Sequence, residues 1–202
     1  IDIGFGGGDS DSVVRIPAKL DEATQGFAIL HAPDPTEPKD IADLLRYAWG
    51  LSEQPEQAPI AFVAALDAKE PCDAVLVGLW RPAFGELTYL AAGFRPPTVF
   101  SSAGPHLSET GVERSTPHGP QTISFGQRTM APGERWLLAT PALVDVPDPS
   151  RQPFNAVGLI QYAYEERGMA GDFWTDYLLG RALTAHRDIL PAGAMLVALT
   201  FV

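Results

Sequence analysis

The hydrophobic pattern divides the chain into short apolar runs of two kinds. From Asp73 to Trp80 the residues are almost wholly apolar. From Glu86 to Ala91, Leu87, Tyr89 and Ala91 alternate with Glu86, Thr88 and Leu90. Pro82 and Gly85 interrupt the pattern between them. Two β-type runs joined by a short Pro/Gly turn predict an antiparallel hairpin. Ala92-Gly93-Phe94-Arg95-Pro96-Pro97 comes next. The glycine permits a tight backbone there, and the prolines stop the chain from continuing as an inner strand.

The other runs can be read the same way. Gly4 to Asp11 (GFGGGDSD) reads as a flexible turn carrying two acids. Val13 to Ile16 and Gly26 to His31 read as strands, with Asp21, Glu22 and Thr24 turning between them. Lys39 to Trp49 places Ile41, Leu44, Leu45 and Ala48 on one face at helical spacing, and Gly50 is a natural stop. Ile60 to Ala68 predicts a second, largely apolar helix. Beyond the hairpin, Ser101 to Gln121 is polar and predicts a surface excursion. Thr122 to Met130 alternates, Pro132-Gly133 turns, and Arg135 to Thr140 reads as a buried strand. Helices are predicted over Phe154 to Arg167 and Asp172 to His186, and a closing strand from Gly193 to Val202. Helices in separate blocks among antiparallel strands argue for an α+β fold rather than a βαβ nucleotide fold. No repeat or linker divides the sequence, so a single domain over residues 1–202 is expected.

Composition narrows the function classes. The chain is 46% hydrophobic and 19% charged, and its formal net charge is −11. So acidic a chain is expected to bind neither nucleic acid nor an anionic membrane through a general field. The lone Cys72 rules out an internal disulfide framework, and no signal-peptide pattern is read. A reducing, cytoplasmic setting is expected. The apolar tract from Ile189 to Val202 is too short to cross a bilayer.

The order of landmarks resembles the metal-dependent protein phosphatases, in their stage II sporulation E-like branch. Gly7-Gly8-Asp9 stands where that family has Gly-Gly-Asp. Ala92-Gly93-Phe94-Arg95-Pro96-Pro97 is similar to its Ala-Gly-His-x-Pro-Pro, with Phe94 in place of the histidine. Pro132-Gly133-Glu134 through Thr140 follows its Pro-Gly-Asp turn and Leu-rich strand, but Pro141-Ala142 replaces Asp-Gly. Ala192-Gly193-Ala194-Met195 stands where the family has Asp-Asp-x-Thr. The resemblance implies two packed antiparallel β-sheets flanked by helix pairs, an α-β-β-α sandwich. It also implies two Mg²⁺ or Mn²⁺ ions activating a water that attacks a phosphoserine or phosphothreonine.

The departures fall on the metal ligands. Hard divalent ions want several oxygen ligands whose charge offsets their own. Against the family pattern, His31, Pro141 and Gly193 replace the three other aspartates, and only Asp9 is kept. Asp9 is thus the candidate remnant metal ligand and His31 the second candidate, with no catalytic residue retained. Each has a plainer role as well: Asp9 as a turn residue beside glycines, His31 as a hydrogen-bonded core histidine. Asp11 or Asp34 would supply a ligand if the register shifts by a residue or two. His106, His118 and His186 share no ligand spacing, and Cys72 and the four tryptophans read as structural. Gly4-x-Gly6-x-x-Asp9 lacks the third glycine and preceding strand of a dinucleotide loop.

The expectation is a non-catalytic, pseudophosphatase-like regulatory domain that takes no cofactor and binds a regulatory protein partner in bacterial signalling. The alternative is an active Mg²⁺- or Mn²⁺-dependent serine/threonine phosphatase with displaced ligands. An unrelated α+β binding domain is the third reading.

Overall fold

A computed structural model describes residues 1–8, 13–32, 37–69, 72–107, 112–116, 119–145 and 155–202. The fold is α+β, with two antiparallel sheets and five helices among the described residues. The chain divides into two compact units: Ile1–Ser10 with Phe94–Thr110 and Ala131–Val202, and Asp11–Gly93 with Gly111–Met130.

The second unit carries the six-stranded sheet. Its strands are β2 (Val13–Lys19), β3 (Gln25–His31), β4 (Ala74–Arg81), β5 (Glu86–Ala92), β8 (Val112–Thr116) and β9 (Gly119–Thr129), in the order β2-β3-β4-β5-β9-β8. The predicted hairpin is β4 and β5, in register from Val75 against Ala92 to Arg81 against Glu86. Pro82–Phe84 forms one 3-10 turn, and Gly85 takes a left-handed φ of 59° to close it. The β2–β3 turn is held by Asp21, whose Oδ1 accepts from the amides of Ala23 at 2.7 Å and Thr24 at 2.6 Å.

Helices α1 (Pro38–Leu51) and α2 (Gln57–Asp67) pack on one face of this sheet. Ile41, Leu45, Ala48, Phe62 and Leu66 meet Ala28, Leu30, Val75, Val77, Leu79 and Leu90 there. Burying side chains of this kind stabilises by roughly 1.5–3 kcal/mol each. The helical spacing predicted α1 correctly, but Gly50 does not end it. The helix runs on to Leu51 and stops at Ser52, whose hydroxyl donates to the Ala48 carbonyl at 2.7 Å. On the opposite face the Phe27 ring covers Gly78. A Cβ on Gly78 would sit 2.2 Å from the ring carbon Cζ.

The first unit carries the five-stranded sheet: β1 (Asp2–Gly7), β6 (Thr98–Ser101), β7 (Gly104–Leu107), β10 (Arg135–Ala139) and β11 (Met195–Thr200), in the order β1-β11-β10-β6-β7. Helices α3 (Pro141–Val144), α4 (Ala156–Glu165) and α5 (Gly171–Ala185) belong to this unit. Trp174 on α5 is wholly buried. Its indole Nε1 donates to the Ala163 carbonyl of α4 at 3.1 Å, and its ring meets Phe100 edge-on with centroids 5.5 Å apart. Edge-to-face pairs add about 0.5–1.5 kcal/mol beyond the area they bury. Trp80 and Trp136 are also buried, while Trp49 is half-buried against the core of its own unit.

The flexible turn expected from Gly4 to Asp11 is instead strand β1 as far as Gly7, paired in register with β11. Its glycines are where α5 lies directly on the sheet. A Cβ on Gly4 would meet Thr175 Oγ1 at 2.3 Å, and one on Gly6 would meet Leu179 Cδ1 at 2.4 Å. The polar excursion expected over residues 101–121 also resolves in part into strands, as β7, β8 and the start of β9.

Candidate functional site

In the first unit, three segments that the family resemblance singled out converge at one end of the sheet. Gly8 donates its amide to the Ala194 carbonyl at 3.0 Å. Thr140, the residue after β10, donates its amide to the Met195 carbonyl at 3.0 Å. The Thr140 hydroxyl donates to the Gly193 carbonyl at 2.8 Å and accepts from the Met195 amide at 2.8 Å. The neighbours of positions 9, 141 and 193 are therefore within a few bonds of one another. Asp9 itself lies outside the described residues, as do Asp11 and Asp34.

Local sequence explains the shape of this corner. Pro141 begins α3, where its missing amide would have had no helical partner and its fixed φ suits the first turn. Gly193 sits at φ 75°, a left-handed conformation in the Pro191–Ala194 turn that leads into β11. Neither residue has a side-chain donor, and the Thr140 hydroxyl is already engaged on both sides.

His31 belongs to the other unit. It ends β3, pairs with Ala74 across β4, and points to the same sheet face as Phe27 and Ile29. Its side chain is 6% exposed. Nδ1 approaches Asp73 Oδ2 to 3.4 Å, yet among the described residues neither ring nitrogen has a hydrogen-bond partner of acceptable geometry. This is a close approach of a histidine and a carboxylate rather than a formed bond. The plainer sequence reading, a core histidine, is met in burial, and among the described residues no bond to its ring is formed. Asp73 is the residue that sequence reasoning passed over. It is held by its amide on the His31 carbonyl at 3.0 Å and by its own carbonyl on Gln121 Nε2 at 3.1 Å. Only the β3–β4 register brings it beside His31. Gly93, at φ 77°, is required here as well, since a Cβ there would lie 2.2 Å from the Asp73 carbonyl oxygen.

The Ala-Gly-Phe-Arg-Pro-Pro segment leaves β5 through Gly93. Phe94, standing where the family has histidine, is buried. The Arg95 amide donates to the Ala139 carbonyl at 2.8 Å, and its guanidinium reaches both Asp145 carboxylate oxygens at 2.8 and 2.7 Å. Both contacts come from the one nitrogen Nη2, and the pair is about half exposed on each side, so it adds little stability.

No family model matches the chain, and no curated protein matches it by sequence. Its fold, however, is that of the metal-dependent protein phosphatases expected from the sequence. The phosphatase domain of the cell fate determinant SpoIIE from Bacillus subtilis superposes with a TM-score of 0.64 at 11% identity, over 98% of this chain and 90% of that one. The RsbU and RsbW domains of Rv1364c from Mycobacterium tuberculosis give 0.61 at 16% identity, over 98% of this chain and 58% of that one. RsbX in complex with magnesium gives 0.53 at 13%, over 93% of this chain and 85% of that one.

The expectation of no cofactor is corrected by this last structure. RsbX holds magnesium, so the architecture is one that takes a divalent cation. Losing three side chains does not by itself remove such a site. Magnesium keeps several waters and is commonly held through only one or two carboxylates, and backbone carbonyls also ligate hard cations. The described side chains do not by themselves fit a two-ion centre. Among the described residues, no group of three or more His, Cys, Asp or Glu is gathered for a metal. No catalytic step is therefore derived through bound ions. Among the described residues, no helix is long and apolar enough to cross a membrane.

Proposed function

We propose that residues 1–202 act as one phosphatase-fold domain that binds a regulatory protein partner in bacterial signalling, in the cytoplasm, without turning over a phosphoester. One observation carries this reading. Where the family places two carboxylates, this chain has Pro141 and Gly193, and the Thr140 hydroxyl between them is tied to the Gly193 carbonyl and the Met195 amide. Hydrolysis on this fold needs a water activated between two hard cations, and such a pair of cations needs several charged oxygen ligands. The reading concerns turnover, not whether a cation is held. Asp9 remains the acid at a family position and His31 the second donor, each a proposal for a residual ligand. The partner reading is supported by the company the fold keeps: in Rv1364c it occurs in a structure of RsbU and RsbW domains.

The test is turnover of an aryl phosphate and of a phosphoserine peptide by the purified domain with millimolar Mn²⁺ or Mg²⁺. Release no faster than in buffer alone is expected. Metal-dependent release that disappears in Asp9→Ala would overturn the reading and establish the active, displaced-ligand phosphatase instead.

A further inference from the structure

A strand at the edge of a sheet presents a row of backbone donors and acceptors, and proteins block such edges with proline, charge or short length. Among the described residues, three of the four sheet edges carry a block. β2 has Pro17 between Arg15 and Lys19, β7 is four residues long and contains Pro105, and β8 contains Glu113 and Arg114. β1 differs. It is six residues long, with Asp2 as its one charge and neither a proline nor a basic residue. It ends the five-stranded sheet, and among the described residues no further strand lies beyond it.

Helix α5 overhangs this edge. Gly171, Thr175 and Leu179, each one turn apart, lie over β1, because a Cβ on Gly4 or Gly6 would meet them. Trp174 bonds to α4, and Arg181 stacks on Tyr162 of α4, so that side of the helix faces its neighbour. Helical spacing then places Asp172, Asp176 and Leu183 on the opposite flank, beyond Thr175 and Leu179. Both aspartates are exposed, and neither carboxylate forms an ion pair or hydrogen bond with a described residue. Leu179 and Leu183 are half-buried. On the other face of β1, Ile3 is buried and Phe5 half-buried.

We propose that β1 is a docking edge, to which an extended segment of a partner protein adds as a further strand, alternating apolar with basic residues. This names a surface for the protein partner inferred above and rests on that reading. Main-chain bonds supply the affinity of such an addition, and alternate side chains its specificity. The apolar residues continue the row of Ile3 and Phe5 across the sheet. The basic residues lie under the flank of α5, their stems along Leu179 and Leu183 and their charges at Asp172 and Asp176. Charge decides against a second copy of this chain. Two β1 edges meeting would bring Asp2, Asp172 and Asp176 of one copy beside the same acids of the other, on chains of net charge −11.

The test is calorimetric titration and amide hydrogen exchange of residues 1–202 with a capped Val-Lys-Val-Lys-Val-Lys peptide. Saturable binding is expected, with at least one amide between Asp2 and Gly7 exchanging about tenfold more slowly and the amides of β2 unchanged. A capped Val-Val-Val-Lys-Lys-Lys peptide, of the same charge without the alternation, should bind at least about tenfold more weakly. Asp172→Lys with Asp176→Lys should weaken the alternating peptide about tenfold, and Asp176→Lys alone about threefold should the double variant fail to fold. The proposal is overturned if the alternating peptide does not saturate, if the two peptides bind alike, if no β1 amide slows, or if the variants bind as the parent does. Slowing of β1 amides that grows with protein concentration, without peptide, would assign the edge to a second copy and overturn it too. None of these readouts involves phosphoester release, so the edge can fail while the non-catalytic reading stands, and the reverse.

Discussion

Thr140 is the residue on which the corner of the five-stranded sheet turns. It is buried, and its hydroxyl donates to one strand-entry carbonyl and accepts from one strand amide. Thr140→Val keeps the shape and removes both bonds, leaving buried backbone groups without that partner. A loss of about 1–3 kcal/mol in urea unfolding is expected, and Thr140→Ser should recover most of it. A loss below about 0.5 kcal/mol would mean that the hydroxyl does not hold the corner. The identities at this corner were legible in the sequence, because Pro141 and Gly193 lack donor side chains in any fold. The neighbour of His31 was not. Asp73 is far from it in sequence and reaches it only through the pairing of His31 with Ala74.

At the scale of elements, the contact of α5 with β1 is the clearest case of structure overriding a local reading. Gly-Phe-Gly-Gly-Gly carries too few side chains to show a strand period, so it reads as a turn. The strand exists because β11 supplies its hydrogen bonds and α5 needs a smooth surface at positions 4 and 6. The two glycines should differ in tolerance. At Gly4 a methyl group meets Thr175, a β-branched residue whose own hydroxyl donates to the Gly171 carbonyl at 3.1 Å. At Gly6 it meets only the end of the half-buried Leu179 side chain, which can swing aside. Gly4→Ala is expected to cost about 1–3 kcal/mol and Gly6→Ala clearly less, measured by chemical denaturation. Equal costs, or a larger cost at Gly6, would show that α5 does not sit on β1 in this way. The helices themselves were legible, since Ile41, Leu45 and Ala48, or Trp174 and Leu178, repeat at helical spacing and are buried. The end of α1 was not, because Gly50 meets nothing within 4 Å and is tolerated mid-helix, while the Ser52 bond to Ala48 marks the stop.

For the whole molecule the dominant physical quantity is charge. A net charge of −11 makes the folded chain repel itself. The ion pairs seen among the described residues are partly or largely exposed, apart from the His31 ring, so salt weakens little that matters. Raising salt from about 10 mM to 0.15 M shortens the screening length from roughly 30 to 8 Å. The melting temperature should therefore rise by a few degrees over that range in scanning calorimetry. A fall would mean that attractive pairs outweigh the repulsion.

The sequence by itself determined the α+β class, the four longer helices, the β4–β5 hairpin, and the resemblance to a phosphatase fold. Each of these rests on residue identity or on a period written along the chain, and neither depends on what packs against it. The tertiary structure decided which segments meet: Gly8 with Ala194, Thr140 with Gly193, and Asp73 with His31. Those meetings depend on strand register and on helices crossing sheets. Antiparallel pairing places distant residues side by side, and a shift of one position would send each side chain to the other face.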